Sequence, residues 1–282
     1  MSDLPARSFG AVAEAYHRGR PAYPREAAAW LVGDQPTTVL ELGAGTGKLT
    51  RDLVALGHDV HATDPDEAML EVLRRDLPDV RVSVAGAEEI PAPDASYDVV
   101  VSAQAFHWFD LDRALPEIAR VLKPGGRLAL VWNERDERIP WVRRLGRIIG
   151  TQDQLRDPTE AVATSGLFGF VEDTAFKHWQ VVQRRTILDL VRSRSNVATL
   201  DEEAREAMLA QVLALYDDYG RGMDGMQLPY VARCYRSVVA PRVRPSSAAG
   251  EPDRDHHRPD EPTPMETTSD GTNTDMLLID FR

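Results

Sequence analysis

Five short apolar runs alternate with helix-like segments between residues 38 and 132, and this alternation limits the possible folds more than any other feature of the chain. The runs are continuously apolar instead of alternating with polar residues, which is typical of strands that are covered on both faces. Strands that are separated by helices usually pair in parallel through right-handed crossovers. The sequence therefore predicts an α/β domain built on a mostly parallel sheet with helices on both faces.

The composition excludes several classes of protein. There are 33 Lys and Arg residues against 45 Asp and Glu residues, so the net charge is −12 and the average surface repels nucleic acids and anionic membranes. Cys234 is the only cysteine, which excludes a disulfide framework and any all-cysteine metal site. No apolar run approaches the roughly 20 residues of a membrane-spanning helix, and the N-terminus lacks the basic and apolar regions of a signal peptide. We therefore expect a cytoplasmic protein with no nucleic-acid or membrane partner.

The pattern divides the chain into four segments. Two helix-like stretches precede the first strand, so we predict an N-terminal helical lid over residues 1–36. The regular alternation occupies a core at residues 37–133, and looser helices with two strand-like stretches, the last of them containing Pro229, form a predicted substrate cap over residues 134–240. Residues 241–282 are dense in Pro, Ser, Thr and Asp, and their few apolar residues would not offset the entropy of ordering the backbone. We predict that this tail is disordered.

A glycine-rich loop follows the first predicted strand directly. Gly43, Gly45 and Gly47 are spaced by two residues, and such glycines let the backbone turn sharply and let a ligand approach the main chain. The spacing differs from that of a P-loop, which ends in Gly-Lys-Ser/Thr, and from that of the dinucleotide fingerprint G-x-G-x-x-G. With the acidic Glu41 just before it, the loop favours a ligand without a pyrophosphate, and a tight structural turn is the alternative.

Two further elements stand where the second and third strands end. Asp64 follows the loop by about twenty residues, and a carboxylate at that place can accept hydrogen bonds from both hydroxyls of a ribose. The alternative for Asp64 is a cap on the next helix, for which Asp66 is the better candidate. Residues 85–91 form a short polar turn, in which the main chain of Ala87 and a carboxylate could meet the edge of an adenine.

In this order, the elements resemble the motifs of the class I S-adenosylmethionine-dependent methyltransferases. The segments that carry the resemblance are residues 41–47 (ELGAGTG), Asp64, residues 86–91 (GAEEIP) and residues 122–126 (LKPGG). Residues 9–16, 19–24 and 105–109 are similar to the type 11 methyltransferases, in particular to the trans-aconitate methyltransferase-like group. The resemblance implies S-adenosylmethionine as the cofactor. It also implies a Rossmann-like, seven-stranded, mostly parallel sheet with helices on both faces and an antiparallel last strand at the edge.

The resemblance further implies a set of cofactor contacts. Glu41 would lie near the amino group of the methionine part through water, and Tyr16 with Arg20 would close over its carboxylate. Many relatives carry an aspartate where this chain has Gly86, so the contact to the adenine amino group is expected to shift to Glu88. The loop residues would line the methionine part, and Gln104 would offer its carbonyl to the amino group. The implied cofactor-binding residues are Tyr16, Arg20, Glu41, Gly43, Ala44, Gly45, Asp64, Ala87, Glu88 and Gln104.

The acceptor side of the site is less patterned. His107 follows the fourth strand and could deprotonate a hydroxyl acceptor, whereas a carboxylate acceptor needs no base and the imidazole would then orient or pack. Trp108 and Trp132 lie at the ligand-bearing edge, where they line the acceptor pocket or pack in the core. Arg194 and Ser195 lie in an arginine-containing run that could hold an anionic acceptor. We expect no metal site, because no specific set of ligands is visible in the sequence.

These observations leave more than one function open. The first is methyl transfer to the oxygen of a carboxylate or hydroxyl group on a small-molecule acceptor. The second is carbon methylation of a quinone, sterol or polyketide-like acceptor, which the apolar residues Trp141, Trp179 and 167–168 would allow. The third is a cofactor-binding module without catalysis, acting as a regulator or assembly partner. The sequence leaves the oligomeric state open.

Overall fold

The computed structural model describes residues 13–150, 158–219 and 225–241. The beginning of the predicted lid, residues 1–12, and nearly all of the predicted disordered tail, residues 242–282, lie outside this part. Among the described residues, no helix is long and apolar enough to cross a membrane. The same residues hold no group of three or more His, Cys, Asp or Glu side chains that could bind a metal ion.

The secondary structure follows the predicted alternation. The helices of the described ranges are α1 (Ala13–Gly19), α2 (Arg25–Val32), α3 (Lys48–Ala55), α4 (Glu67–Asp76), α5 (Leu111–Val121), α6 (Pro140–Ile149), α7 (Pro158–Thr164), α8 (Arg184–Arg192), α9 (Ser195–Ala198) and α10 (Glu202–Tyr219). The strands are β1 (Thr38–Leu42), β2 (Asp59–Asp64), β3 (Arg81–Val84), β4 (Tyr97–Ala103), β5 (Leu122–Arg135), β6 (Phe168–Val182) and β7 (Met226–Val239). A short 3₁₀ turn, Phe106–Trp108, follows β4.

The strands form one sheet in the order β3-β2-β1-β4-β5-β7-β6. Strands β1 to β5 pair in parallel, whereas β7 runs antiparallel to both β5 and β6. Residues 123–126 form a bulge within β5, where the pairing with β4 shifts between Tyr97 and Val99. The predicted fold class is confirmed: a Rossmann-like, seven-stranded and mostly parallel sheet.

The last strand is antiparallel, as expected, but it lies between β5 and β6 instead of at the edge. Pro229 pairs with Trp179 of β6, while the pairing of β7 with β5 stops at Tyr230 and Arg135. The proline therefore lies just past the end of the β5 ladder, where no partner needs its missing N–H. Its carbonyl accepts a hydrogen bond from the N–H of Asp136 at 2.9 Å. Pro229 thus marks the point where the pairing between β5 and β7 ends, and it does not determine the order of the strands.

Helices cover both faces of the parallel part of the sheet, and the cap has a core of its own. Helices α2 and α3 pack on one face with Leu31 and Leu53, while α5 packs on the other face with Ile118. Under the cap, Leu190 of α8 and Leu228 of β7 belong to a separate apolar cluster that also includes residues of α6 and α10. Burial of these side chains stabilises the packing of α6, α8 and α10 against β7.

The thiol of Cys234 provides a test of the packing around β7. The residue has no exposed surface, and burial raises the pKa of the thiol to about 12. Because the thiolate is the reactive form, we expect no measurable reaction of the native protein with a thiol-specific disulfide reagent at pH 8 and complete reaction after unfolding in urea. Cys234 is the only cysteine of the chain, so the signal has one source. Fast reaction of the native protein would contradict this packing.

Candidate functional site

The loop that follows β1, residues 43–47, borders open space at Gly45. Gly43, Gly45 and Gly47 have left-handed φ angles of 69°, 55° and 78°. A Cβ atom at Gly43 would lie 2.3 Å from the Cβ of Ala105, so the loop contacts the segment after β4 and admits no side chain there. A Cβ atom at Gly45 would meet no heavy atom within 4 Å. The loop is therefore tightly packed on one side and presents bare main chain on the other, which suits close approach by a ligand.

Asp64 fastens this loop to the end of β2. Its Oδ2 accepts a hydrogen bond from the N–H of Gly45 at 2.9 Å, and its Oδ1 accepts one from the N–H of Asp66 at 2.9 Å. Burial raises the pKa of the Asp64 carboxyl group to about 6. An ionised carboxylate offers about four acceptor positions, so further donors such as ribose hydroxyls can still bind. Asp66 caps α4 by accepting from the N–H of Ala68 at 3.0 Å, as predicted.

Glu41 lies beneath the loop with 1% of its surface exposed. Its Oε2 accepts a hydrogen bond of 2.6 Å from the hydroxyl of Thr50, a residue of α3. Burial raises the pKa of the Glu41 carboxyl group from 4.5 to about 8, and the bond from Thr50 opposes this shift. A cation that binds nearby would favour the ionised form of such an acid.

Tyr16 of α1 and Arg20, which directly follows this helix, lie beside the loop. The guanidinium group of Arg20 lies 5.2 Å from the centre of the Tyr16 ring, which is a cation–π distance. Burial raises the pKa of Tyr16, Arg20 lowers it, and Asp64 and Glu41 raise it further, so the Tyr16 hydroxyl is within electrostatic range of all three. The structure therefore brings together the side chains that were predicted to surround the methionine part of the cofactor.

The turn after β3 lies beside Asp64, whose carbonyl accepts a hydrogen bond from the N–H of Ala85 at 3.2 Å. Ala87 is buried in this turn. A Cβ atom at Gly86 would lie 2.7 Å from Oε2 of Glu88, so the Glu88 carboxylate occupies the space that a side chain at position 86 would need. Its Oε1 accepts a hydrogen bond of 2.9 Å from the backbone N–H that precedes α5. Glu88 therefore places a carboxylate in this turn, and its expected contact with an adenine amino group stays a prediction.

The segment after β4 carries Gln104, His107 and Trp108. Gln104 has a φ angle of 61°, which is uncommon for a residue other than glycine, and its side-chain amide donates to the carbonyl of Asn133 at 3.0 Å. His107 and Trp108 stand on the exposed 3₁₀ turn, where 41% of the Trp108 surface is accessible. Although the residue has an exposed edge, desolvation of the imidazole by the surrounding protein lowers the pKa of His107 to about 4. The imidazole is therefore neutral at pH 7 and able to accept a proton or a hydrogen bond.

Trp132 lies away from the acceptor side. Its side chain is 3% exposed and packs edge-to-face against Phe106 and Tyr235, with ring centres 6.3 and 5.8 Å apart. Side chains alternate along a strand, and Trp132 shares a face of β5 with Leu128 and Leu130. All three belong to the apolar cluster that packs around Ile118 of α5, which we call the α5 cluster. Of the two roles expected for Trp132, the structure shows packing in the core and not lining of the acceptor pocket.

The guanidinium groups of Arg20, Arg135 and Arg194 converge between α1, the end of β5 and the start of α9, and we call these three residues the arginine cluster. Arg135 and Arg194 both donate to the carbonyl oxygen of Gly150, at 3.1 and 3.3 Å, and Arg135 also pairs with the carboxylate of Glu137 at 3.2 Å. Arg20 donates to the hydroxyl of Ser193 at 3.0 Å and to its carbonyl at 3.2 Å. Burial, followed by the charges of Arg135 and Arg20, lowers the pKa of Arg194 to about 9. An anion bound among these groups would relieve their repulsion.

The hydroxyl of Tyr230 lies within electrostatic range of the same cluster. The residue is 3% exposed, and burial raises the pKa of the hydroxyl to about 12, while the three arginines lower it. Within the described ranges, this hydroxyl has no hydrogen-bond partner. A buried hydroxyl without a partner is unfavourable by about 1–3 kcal/mol, which an oxygen atom of a ligand would offset.

The sequence analysis missed Arg135 and Tyr230. Arg135 is a polar residue at the carboxyl end of a parallel strand, the same signal that identified Asp64, and could have been found in that way. Tyr230 pairs with Arg135 through the antiparallel register of β7, which nothing in the sequence reveals. Ser195 begins α9, but its side chain lies outside the described residues, so its predicted contact with the acceptor stays a prediction.

Comparisons with known proteins agree with this geometry. The family model described as a methyltransferase domain matches residues 40–130. An uncharacterized methyltransferase of Mycobacterium tuberculosis is 47% identical over 236 residues, which cover 83% of this chain and 96% of that protein. A malonyl-[acyl-carrier protein] O-methyltransferase of Methylococcus capsulatus is 42% identical over 134 residues, which cover 43% of this chain and 48% of that protein. Among solved structures, a protein of Anaeromyxobacter dehalogenans assigned as a type II methyltransferase has a TM-score of 0.54 and 28% identity, covering 78% of this chain and 97% of that chain.

Proposed function

The chain belongs to the S-adenosylmethionine-dependent methyltransferases, and we propose that it transfers the methyl group to a carboxylate oxygen of a small anionic acceptor. One observation carries this proposal: the arginine cluster, in which Arg135 is buried and Arg20 and Arg194 are partly buried, stands beside the cofactor loop in a chain whose net charge is −12. Guanidinium groups held close together and shielded from water are well placed for an anion, and their planar forks match a carboxylate.

The residues of the loop fit S-adenosylmethionine. The open space at Gly45 admits a ligand, Asp64 retains acceptor positions for a ribose, and the buried Glu41 would be ionised by a nearby ammonium group. When bound, the cofactor supplies a sulfonium-activated methyl group, and its transfer to a carboxylate oxygen breaks the carbon–sulfur bond without moving a proton.

Replacing Asp64 by Asn should weaken the binding of S-adenosylhomocysteine, the demethylated product, by about tenfold, because an amide has one neutral acceptor oxygen in place of a charged pair. Titration calorimetry measures this change directly. Asp66→Ala is the matched control, since it removes the cap of α4 and about 1 kcal/mol of stability but should leave binding unchanged. If both variants lost the same affinity, the loss would come from disturbed loop structure, and Asp64 would not be the ribose-binding residue.

The residues on the acceptor side suit a carboxylate. The arginine cluster would hold the acceptor through paired N–H donors, and the Tyr230 hydroxyl would add another donor. A carboxylate arrives ionised, so the protein has to align it and exclude water and does not have to supply a base. His107, with its pKa near 4, would then orient or pack at the rim. Trp108, exposed on the same turn, would border the entrance.

The name of one relative, a malonyl-[acyl-carrier protein] O-methyltransferase, supports an oxygen acceptor. Carbon methylation has less support, because the apolar residues that would favour it do not gather in one place. Trp141 stacks on Tyr219 with ring centres 6.5 Å apart, Trp179 is 63% exposed, and Phe168 packs in the α5 cluster. These three positions offer no common pocket for an apolar acceptor.

Incubation of the purified full chain with methyl-labelled S-adenosylmethionine, a panel of small carboxylic acids and a metabolite extract tests the proposal. The expected product is a labelled methyl ester that releases labelled methanol in alkali. Alkali-stable label in an extractable product would identify a hydroxyl or carbon acceptor and would overturn the carboxylate proposal. Tight cofactor binding without any labelled product would favour the non-catalytic module.

A further inference from the structure

The end of helix α1 is fixed to helix α8 by successive residues. Arg18 donates from Nε to Oδ2 of Asp189 at 2.9 Å and from Nη2 to Oδ1 at 3.3 Å. A Cβ atom at Gly19 would lie 2.3 Å from the backbone nitrogen of Leu190, so the two backbones are in direct contact there. Arg20 then bonds to the residue after α8, as described above. Together these contacts set both the position and the rotation of α1 on the cap.

Asp189 is the buried member of this attachment. Its side chain is 4% exposed, whereas that of Arg18 is 40% exposed. A buried carboxylate requires a hydrogen-bonded partner, so Asp189 strongly favours the arrangement in which Arg18 reaches it. Arg18 also pairs with Glu14 at 3.7 Å, but that pair is exposed on both sides and contributes little.

Helix α1 and the residue that follows it contribute to both halves of the site. Tyr16 stands near the acids of the cofactor loop, and Arg20 belongs to the arginine cluster. The two residues are four positions apart, and the N–H of Arg20 donates to the carbonyl of Tyr16 at 3.0 Å. Residues at this spacing lie on the same side of a helix. Any shift of α1 therefore moves the cofactor-side and the acceptor-side groups together.

We propose that Asp189 is a positioning residue for methyl transfer: by holding α1 against α8, it sets Tyr16 at the cofactor and Arg20 at the acceptor and couples the two sites. Asp189 acts through α1 and not through a contact of its own with either ligand. A ligand that orders α1 from one side reduces the conformational entropy that the helix still loses when the second ligand binds. Binding of one ligand therefore strengthens binding of the other. The acceptor half of this inference rests on the proposed function, and the cofactor half does not.

Hydrogen exchange of the full chain, with and without S-adenosylhomocysteine, tests the cofactor half alone. In the wild-type protein this probe should slow amide exchange in the loop at residues 43–47, in α1 and also in α8, although no residue of α8 has been placed at the cofactor. In Asp189→Asn, exchange in the loop should still slow, the effect on α8 should be lost, and the affinity for the probe should fall by about fivefold.

Glu14→Gln is the control, because it removes the exposed partner that Arg18 shares with Arg75 of α4, leaves the buried Asp189 pair intact and should keep the effect on α8. Arg18→Lys, which retains the charge but not the two-point contact, should reproduce the loss if Asp189→Asn does not fold. Slowed exchange that persists in α8 of Asp189→Asn, or is lost in Glu14→Gln, would overturn the proposal. Since the acceptor takes no part in this readout, a failure of the carboxylate proposal would leave the result unchanged.

Discussion

Replacing Arg194 by Gln should lower kcat/KM for the acceptor by about 100-fold, while the affinity for S-adenosylhomocysteine changes by less than about threefold. Removing one partner of a buried, hydrogen-bonded charge pair loses about 2–5 kcal/mol, and about 1.4 kcal/mol corresponds to a factor of ten. The structure gives the reason for the asymmetry: Arg194 shares the carbonyl of Gly150 with Arg135, and its guanidinium belongs to the cluster assigned to the acceptor. Steady-state kinetics with the labelled acceptor and calorimetry with the probe measure the two quantities.

The neighbouring Arg192 supplies a matched control for this prediction. It is exposed near the end of α8, so Arg192→Gln changes the net charge equally and should leave both quantities unchanged. Arg194→Lys should give an intermediate loss, because an ammonium group keeps the charge but lacks the planar fork. If Arg194→Gln weakened the probe and the acceptor to the same extent, the guanidinium would belong to the cofactor site and the proposed assignment would be wrong.

The placement of the proposed cofactor residues could be predicted from the sequence because these residues are close in the chain or follow one rule of sheet topology. The glycine loop joins β1 to α3 within a few residues, and Asp64 lies at the end of the adjacent parallel strand. Carboxyl ends of parallel strands meet at one edge of the sheet, so polar residues at those ends come together whatever the rest of the chain does. Glu88 stands two residues after Gly86, and its carboxylate occupies the space that a side chain at position 86 would need, but its contact with the cofactor stays a prediction.

The acceptor side could not be predicted in the same way because it depends on distant contacts. Arg20 and Arg194 meet only when α1 packs against α8, through residues about 170 positions apart in the chain. Tyr230 reaches the cluster because β7 inserts between β5 and β6, an order that the expected edge position for the last strand does not allow. Trp132 shows a further limit: both faces of β5 are covered, so the apolar pattern does not reveal which face a side chain occupies.

Replacing Glu41 by Gln should have opposite effects on stability and on cofactor binding. Burial raises the pKa of Glu41 from 4.5 to about 8, so its favourable contribution to folding is complete below about pH 4.5 and is lost as the pH rises towards 8. In that window the loss is roughly 1.4 kcal/mol per pH unit. Glutamine does not titrate, and its amide oxygen can still accept the bond from Thr50. Urea unfolding should therefore give similar free energies for both proteins near pH 4.5 and a more stable variant at pH 8.

Binding of S-adenosylhomocysteine should change in the other direction. The ammonium group of its amino-acid part favours ionised Glu41, so the wild-type protein should release a proton on binding at pH 7 and bind more tightly as the pH approaches 8. Glu41→Gln should bind more weakly, by about tenfold, and should lose this proton release, which calorimetry in buffers of different ionisation enthalpy measures.

Thr50→Val keeps the acid but removes the bond that lowers the pKa of Glu41, so the tightest binding of this variant should move to higher pH. A Glu41→Gln variant that binds as tightly as the wild type at pH 8, or that is less stable there, would show that the buried carboxylate serves the fold and not the cofactor.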